Sequence, residues 1–246
     1  MKLLLAISSS SAEASAALVM PNSIVASKKL GGTSHSKTLM PAIDEMLNEY
    51  NVSLSDIDGI AVDIGPGSFT GVRIGVATAN GLAFGANKPI IGVTSLLALR
   101  HSIPKYDVVA ALIDAKHDSV YAAIYNKDSE IFPACATPIE ELLHHIPSNC
   151  VCIGDGALAY KDKIHFAHPY VRFAIKDEED NLCASNFPCA VSVAMAAFAL
   201  YEKDKSCALS QVEPTYFRPS QAERMRDIKA EAEEPEEPDE PEEQFE

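Results

Sequence analysis

Eight of the chain's twelve glycines fall between Gly59 and Gly92. The densest run, Gly65-Pro66-Gly67-Ser68-Phe69-Thr70-Gly71, joins an apolar strand-like stretch to a helical pattern. A loop opening a helix offers unpaired backbone N–H groups and the positive end of a dipole, the chemistry that receives an anion. The residues placed to face one are Gly65, Gly67, Ser68, Thr70 and Arg73, with Asp114 from a later turn. The loop is not a nucleoside-triphosphate P-loop, because Val72-Arg73 stands where Lys-Ser/Thr is needed. It is a poor dinucleotide fingerprint too: the spacing is G-x-G-x-x-x-G, and no acid follows the next strand, Ile90–Val93. A tight turn whose glycines let two backbones approach accounts for the same residues.

Other groups assemble less well. Asp114 ends an apolar run, with His117 and Asp118 in the next turn, a set that can be read as acid and base. Spacing alone does not make them converge, and structural or interface use is favoured. Gly154-Asp155-Gly156 reads as a strand-to-helix turn that could border a nucleotide. His35 heads a helical pattern with no second His at i+3 or i+4, so it reads as a capping or packing residue, not a metal ligand. His144-His145 point apart on a helix, and His165 and His168 lie near a turn before Pro169. Cys135, Cys150, Cys152, Cys183, Cys189 and Cys207 contain no C-x-x-C pair, which favours buried free thiols over zinc. No catalytic residue and no metal site is assigned.

The elements that must hold these groups follow from periodicity. Residues 2–8, 13–20 and 23–30 read as three strands in an antiparallel meander, with Pro21-Asn22 as a turn. Residues 36–50 read as a helix, because Leu39, Met40, Ile43, Met46, Leu47 and Tyr50 fall in one arc of roughly 120°. Ser34 or Ser36 can cap it, and Pro41 implies either a start near Thr38 or a bend. A buried strand over 59–64, a helix to about Gly85, a strand over 89–93 and a short helix over 95–101 complete a βββαβαβα order. Beyond it, 108–113, 120–125 and 151–153 are strand-like, 138–145 and 188–202 helical, and 212–218 extended.

The helix after the glycine loop is apolar nearly all round. Val72, Val76, Ala79 and Ala83 make one face; Gly71, Gly75, Thr78, Leu82 and Gly85 make another of mostly small residues. Glycine inside a helix costs about 1 kcal/mol relative to Ala, so the second face implies close approach by another helix. That helix is either residues 36–50 of the same chain or part of a second subunit.

Charge and length narrow the classes. The formal net charge is −15, but ten of the acidic groups lie in the last 17 residues. Removing them leaves 25 acidic against 20 basic residues, a net −5. A general polyanion binder with a broad basic face is thereby disfavoured. The start, Met1-Lys2-Leu3-Leu4-Leu5-Ala6-Ile7, imitates a secretory signal, but its apolar run is shorter than the roughly 7–15 residues needed. No stretch approaches the ~18 apolar residues of a membrane span. A soluble, cytoplasmic protein without membrane partners is expected.

The runs His35-Ser36-Lys37-Thr38-Leu39-Met40-Pro41, Gly65 through Gly75, and Gly92-Val93-Thr94-Ser95-Leu96 resemble the TsaB (YeaZ) family of bacterial tRNA N6-threonylcarbamoyladenosine synthesis. The similarity continues through Asp114-Ala115-Lys116 and Val120-Tyr121, and ends near Pro214-Thr215-Tyr216-Phe217-Arg218. It implies an α/β, two-lobed actin/Hsp70/sugar-kinase-like (ASKHA) fold of mixed sheets flanked by helices. Residues 1–103 would form the N-terminal lobe, 104–204 a smaller second lobe, and 223–246 an acidic disordered tail. Residues 205–222 would return to the first lobe or bridge the two.

The resemblance also implies a non-catalytic scaffold that self-pairs, exchanges into a heterodimer with a TsaD-like catalytic paralogue, and works with a TsaE-like ATPase and, through the complex, tRNA. ATP and Mg would be used by the complex, with no cofactor of the chain's own. The expected contact surface is Leu39, Ile43, Met46 and Leu47 with Gly71, Gly75, Thr78 and Leu82. Family members usually read I-D-T-S at the end of the first strand; Ile7-Ser8-Ser9-Ser10 here lacks the acid that favours Mg²⁺. That counts against an autonomous ATPase or kinase. A peptidase is disfavoured by the absence of zinc spacing and of a nucleophile–base pair.

Overall fold

The computed structural model describes residues 1–31, 35–127, 129–174 and 186–218. Two five-stranded sheets carry the core. The first is built from β1 (Leu4–Ser8), β2 (Ala14–Met20), β3 (Ser23–Leu30), β4 (Gly59–Asp63) and β5 (Ile90–Val93) in the order β3-β2-β1-β4-β5. The β1–β2 and β2–β3 pairs are antiparallel; β1–β4 and β4–β5 are parallel. The second sheet comprises β6 (Val108–Asp114), β7 (Ser119–Asn126), β8 (Ser129–Pro138), β9 (Val151–Ile153) and β10 (Arg172–Phe173) in the order β10-β9-β6-β7-β8. Its β6–β7 and β7–β8 pairs are antiparallel and β6–β9 and β9–β10 parallel. The second half of the chain thus repeats the first: an antiparallel meander whose leading strand also takes a parallel partner, which pairs in turn with a second parallel strand.

Every residue of β1 and β4 is buried, as expected of strands covered on both faces. On one face of the first sheet lie α1 (His35–Glu49) and α2 (Phe69–Ala86); on the other lies α7 (Ala190–Lys203). Ser68 caps α2, its Oγ accepting the Gly71 N–H at 3.2 Å, and Asn87 closes it in the left-handed conformation. Between the sheets runs α3 (Ser95–Ser102), capped by Thr94. Ala98 faces the first sheet, while Leu96 and Leu99 face the second. The outer face of the second sheet is covered by α4 (Ile139–Leu143), α5 (Asp155–Ala159) and α6 (Lys161–Ala167).

Several expectations are corrected here. The boundary at 204 is wrong for its last helix. Val191, Val193, Ala194 and Ala197 of α7 are buried against Leu4, Ala6, Ala17 and Ile91, so α7 belongs to the first lobe. The segment after it both returns and bridges. Leu209 pairs with Ile90, Thr215 N–H donates to the Ile64 carbonyl, and Arg218 reaches the Ala115 carbonyl of the second lobe.

The stripe assigned to a partner faces inward: Leu39, Ile43 and Met46 are 1%, 1% and 0% exposed in the core beneath the first sheet. Leu47 and Leu82 pack on the same core. Burying each of those aliphatic chains contributes roughly 2–3 kcal/mol, which a folded monomer retains. Met40 and Tyr50, placed in that arc from periodicity, are exposed. The first helix begins at His35 and contains Pro41, so it does not start near Thr38. Ser34, Cys183 and the acidic tail over 223–246 lie outside the described residues. Cys189 is disulfide-bonded, which corrects the free-thiol reading for that residue; Cys135, Cys150, Cys152 and Cys207 are free.

Candidate functional site

A cavity of about 650 Å³ opens between the two lobes. The loop after β1 and the start of α2 form its floor, through Ser10, Ser68 and Thr70. His35 stands at one side, Asp114, Lys116 and Asp155 line the second-lobe wall, and Phe187 and Pro188, just before α7, close the end. Of the residues singled out for an anion, Gly67, Ser68, Thr70 and Asp114 are gathered here. Gly65 and Arg73 are not.

The glycines have an intrachain reason. A Cβ on Gly67 would stand 2.2 Å from the Ser10 carbonyl oxygen, and one on Gly71 would stand 2.0 Å from that of Ser9. A Cβ on Gly75 would meet Ser9 Oγ at 2.3 Å. The loop Ser8–Ser10 therefore lies directly on the first turns of α2. It is bonded there: Ser68 N–H donates to the Ser10 carbonyl at 2.6 Å, and Ser9 Oγ donates to the Gly71 carbonyl at 2.8 Å. Together with the Ser68 cap, this occupies amides that an anion would otherwise take. Gly71 and Gly75 are buried by their own chain, which corrects their assignment to a subunit contact; Thr78 is half-buried.

Beneath the loop sits a group that the sequence reasoning missed. Asp63, at the end of β4, is 0% exposed. Its Oδ2 accepts from Ser10 Oγ at 2.5 Å and Ser8 Oγ at 3.0 Å; its Oδ1 accepts from Ser95 Oγ at 2.6 Å and Gly65 N–H at 3.0 Å. Burial pushes this carboxyl up, against the four donors, which favour the charged form. The signal was present: Asp63 is the lone charged residue in an otherwise apolar strand.

On the facing wall, burial raises Asp114, but two hydrogen bonds and the charge of Lys116 outweigh it and hold the carboxyl below its usual range. Asp155 is pushed up by burial, partly offset as its Oδ1 accepts the Asp114 N–H. Asp118 instead pairs with Lys163 at 3.0 Å, so Asp114, His117 and Asp118 do not act on one point. They share a strained turn, with Lys116, His117 and Asp118 all at positive φ. His35 Nε2 lies 3.2 Å from the Ser11 carbonyl, fixing this residue as part of the floor. His168 meets the Leu143 carbonyl at 2.7 Å. Among the described residues no group of three or more His, Cys, Asp or Glu can hold a metal ion, and no helix is long and apolar enough to cross a membrane.

Outside the cleft, Arg73 lies 4.0 Å over the Phe69 ring and donates from Nε to Tyr216 Oη at 2.8 Å. Arg73 thus ties the start of α2 to the returning C-terminal segment; it does not face an anion in the cleft. Further along the same outer side, Phe84 is 89% exposed, and nothing lies within 4 Å of a Cβ built on Gly81 or Gly85.

Two lobes of repeated topology around one cleft define a protein of the actin/Hsp70/sugar-kinase-like (ASKHA) fold. Ethanolamine utilization protein EutJ from Carboxydothermus hydrogenoformans shares that fold, with a TM-score of 0.50 at 10% identity over 80% of this chain and 90% of that one. The family described as TsaD, tRNA N6-adenosine threonylcarbamoyltransferase, matches residues 22–211. The tRNA threonylcarbamoyladenosine biosynthesis protein TsaB of Escherichia coli (strain K12) is 30% identical over 226 residues, 87% of this chain and 94% of that protein. The solved structure of YeaZ from Pseudomonas aeruginosa matches with a TM-score of 0.71 at 28% identity, over 88% of this chain and 100% of that one. The chain belongs to the TsaB (YeaZ) family, the non-catalytic paralogues of TsaD.

Proposed function

We propose that this protein is the scaffold and activator of threonylcarbamoyl transfer to N6 of adenosine 37 in tRNAs that read ANN codons. It acts in the cytoplasm by pairing with a TsaD-like catalytic paralogue, and self-pairing is the competing state. A TsaE-like ATPase joins the complex, tRNA is engaged through it, and ATP and Mg are used by it. The observation that carries this reading is the outer face of α2. Phe84 stands almost wholly in solvent beside two glycines with open space above them. A bulky apolar side chain next to helical glycine is costly in water, and both features suit a second helix that covers Phe84 and lies close over Gly81 and Gly85. The cleft supports a non-catalytic role: Asp114 is held by Lys116, Asp155 accepts the Asp114 N–H, and the end of α2 is filled by Ser9 and Ser10.

The test is tRNA modification by the TsaD-like paralogue with wild-type protein, with Phe84→Ala and with Gly81→Leu, alongside sedimentation of each pair. Loss of both modification and pairing, with a melting temperature no lower than that of the wild type, is expected for Gly81→Leu and a partial loss for Phe84→Ala. Normal pairing by both variants overturns the assignment of this face. Mg-ATP turnover by the isolated chain that disappears in Asp114→Ala would instead favour the autonomous ATPase reading.

A further inference from the structure

The hydroxyl of Ser8 has one proton and two acceptors. Its Oγ lies 3.0 Å from Asp63 Oδ2 and 3.2 Å from the Pro188 carbonyl oxygen, all three groups being buried. While Asp63 is ionised, all four donors around it are drawn to its two oxygens, and the Ser8 proton is committed to Oδ2. The Pro188 carbonyl then loses the donor that Ser8 supplies. When Asp63 is protonated, the Oδ2 proton is donated to Ser8 Oγ, and Ser8 passes its own proton to Pro188. Ser8 Oγ also reaches an acceptor beyond the carboxylate, the Pro188 carbonyl, so the relay runs through it.

We propose that Asp63 and Ser8 form a proton-operated latch on the end wall of the interlobe cleft, fastening Pro188 to β1 when Asp63 is protonated and releasing it when Asp63 is ionised. The wall segment is short of donors in its own right: Asn186 Oδ1 is buried without a partner among the described residues. Each state costs something, because an unpaired buried acceptor is penalised and so is a buried charge. The helix behind the wall has a separate anchor, since Ala190 N–H donates to Ser15 Oγ at 2.9 Å. Release therefore stops before Ala190.

Burial raises the Asp63 carboxyl, which brings the switch toward neutral pH. Among the described residues, no charged side chain contacts it. Strands β1 and β5 carry none, α2 carries only the outward Arg73, and α7 carries Glu202 and Lys203 on its exposed last turn. On α3, Arg100 is bonded to the Lys127 and Ile103 carbonyls, with His101 beside it. The other titratable groups of the cleft are His35, Asp114, Lys116, Tyr121 and Asp155.

The chain contains no Trp, so Phe187→Trp gives a single reporter on the wall. Its emission between about pH 4 and pH 9 is expected to follow a one-proton sigmoid, toward more solvent contact as pH rises. Adding Ser8→Ala should abolish the sigmoid while the circular dichroism spectrum stays unchanged, and adding His35→Gln should leave it in place. Amide exchange over residues 186–192, compared between wild type and Ser8→Ala at each pH, checks the same step without the reporter. The expected result is loss of protection in the variant on the acid side only. A sigmoid that survives Ser8→Ala, or equal exchange in the two proteins at every pH, overturns the latch. None of these readouts depends on a partner protein.

Discussion

Four glycines of α2 divide into two pairs with opposite surroundings. Gly71 and Gly75 lie under the loop Ser8–Ser10, where an added Cβ would fall within 2.3 Å of Ser9 atoms. Gly81 and Gly85 face open space. One helix thus has glycine for two reasons. At its start, glycine lets a strand end and a helix share a backbone-to-backbone contact inside the monomer. Near its other end, glycine leaves room that the monomer does not use. A helical pattern counts all four as small residues on or near one face, and only the position of a neighbouring loop separates them.

The sharpest way to break this distinction is Gly71→Ala, because its Cβ would meet a backbone carbonyl that cannot rotate away. We expect a loss of about 3 kcal/mol, at the upper end of overpacking effects, lowering the melting temperature by roughly 6–12 °C. A melting curve unchanged within 2 °C would show that the loop yields freely.

Gly75→Ala should cost less, about 1–2 kcal/mol, since it meets the movable Ser9 hydroxyl and disrupts its bond to the Gly71 carbonyl. In the Ser9→Ala background the cost should shrink, a coupling that denaturant titration of the four proteins measures. Additive losses would mean that Ser9 is not the obstacle.

Gly81→Ala should move in the opposite direction. It should stabilise the isolated chain by about 0.5–1 kcal/mol, as helix propensity dictates where nothing is struck, while lowering affinity for the TsaD-like partner. Stabilisation without any loss of pairing would leave this outer pair unexplained.

The smallest effect concerns a carboxylate far from both pairs. The N–H groups of Lys2 and Leu3 donate to Asp58 Oδ2 and hold its pKa below the ordinary value. A folded-state pKa below the unfolded one gives stability that is present above the unfolded value and lost as pH falls through the folded value. Asp58→Asn should therefore differ from wild type at neutral pH and converge with it in acid, read from melting curves across that range. Asp63 has the opposite sign: its raised pKa favours the fold on the acid side, and that contribution is lost as pH rises through the folded value.

Much of the first lobe was legible because its elements are long or strongly patterned. The meander, the position of α2, and the βββαβαβα order all follow from apolar runs punctuated by turn residues. The second lobe was less so. Its ten-residue β8 is largely exposed or half-buried, with Pro at both 133 and 138, and gave no alternation to read. Helices α5 and α6 span five and seven residues, too short for a period of 3.6 to declare itself. The candidate cleft was half legible: Gly67, Ser68, Thr70, Asp114 and Asp155 were found by loop and turn chemistry, whereas His35, Lys116 and Pro188 come from three separate stretches.

What the sequence determined by itself is local: which segments are apolar with a period of two or near 3.6, which loop must be tight, and that the motif belongs to this family. What only the tertiary structure decided is which side each face turns to. Leu39, Ile43 and Met46 form the same stripe whether they cover a sheet or meet a partner, because periodicity records that a face is buried and not by what. The same holds for Asp63, whose four donors come from residues 8, 10, 65 and 95. No spacing along the chain encodes their meeting; the parallel pairing of β1 with β4 and β4 with β5 brings the strand ends to one point.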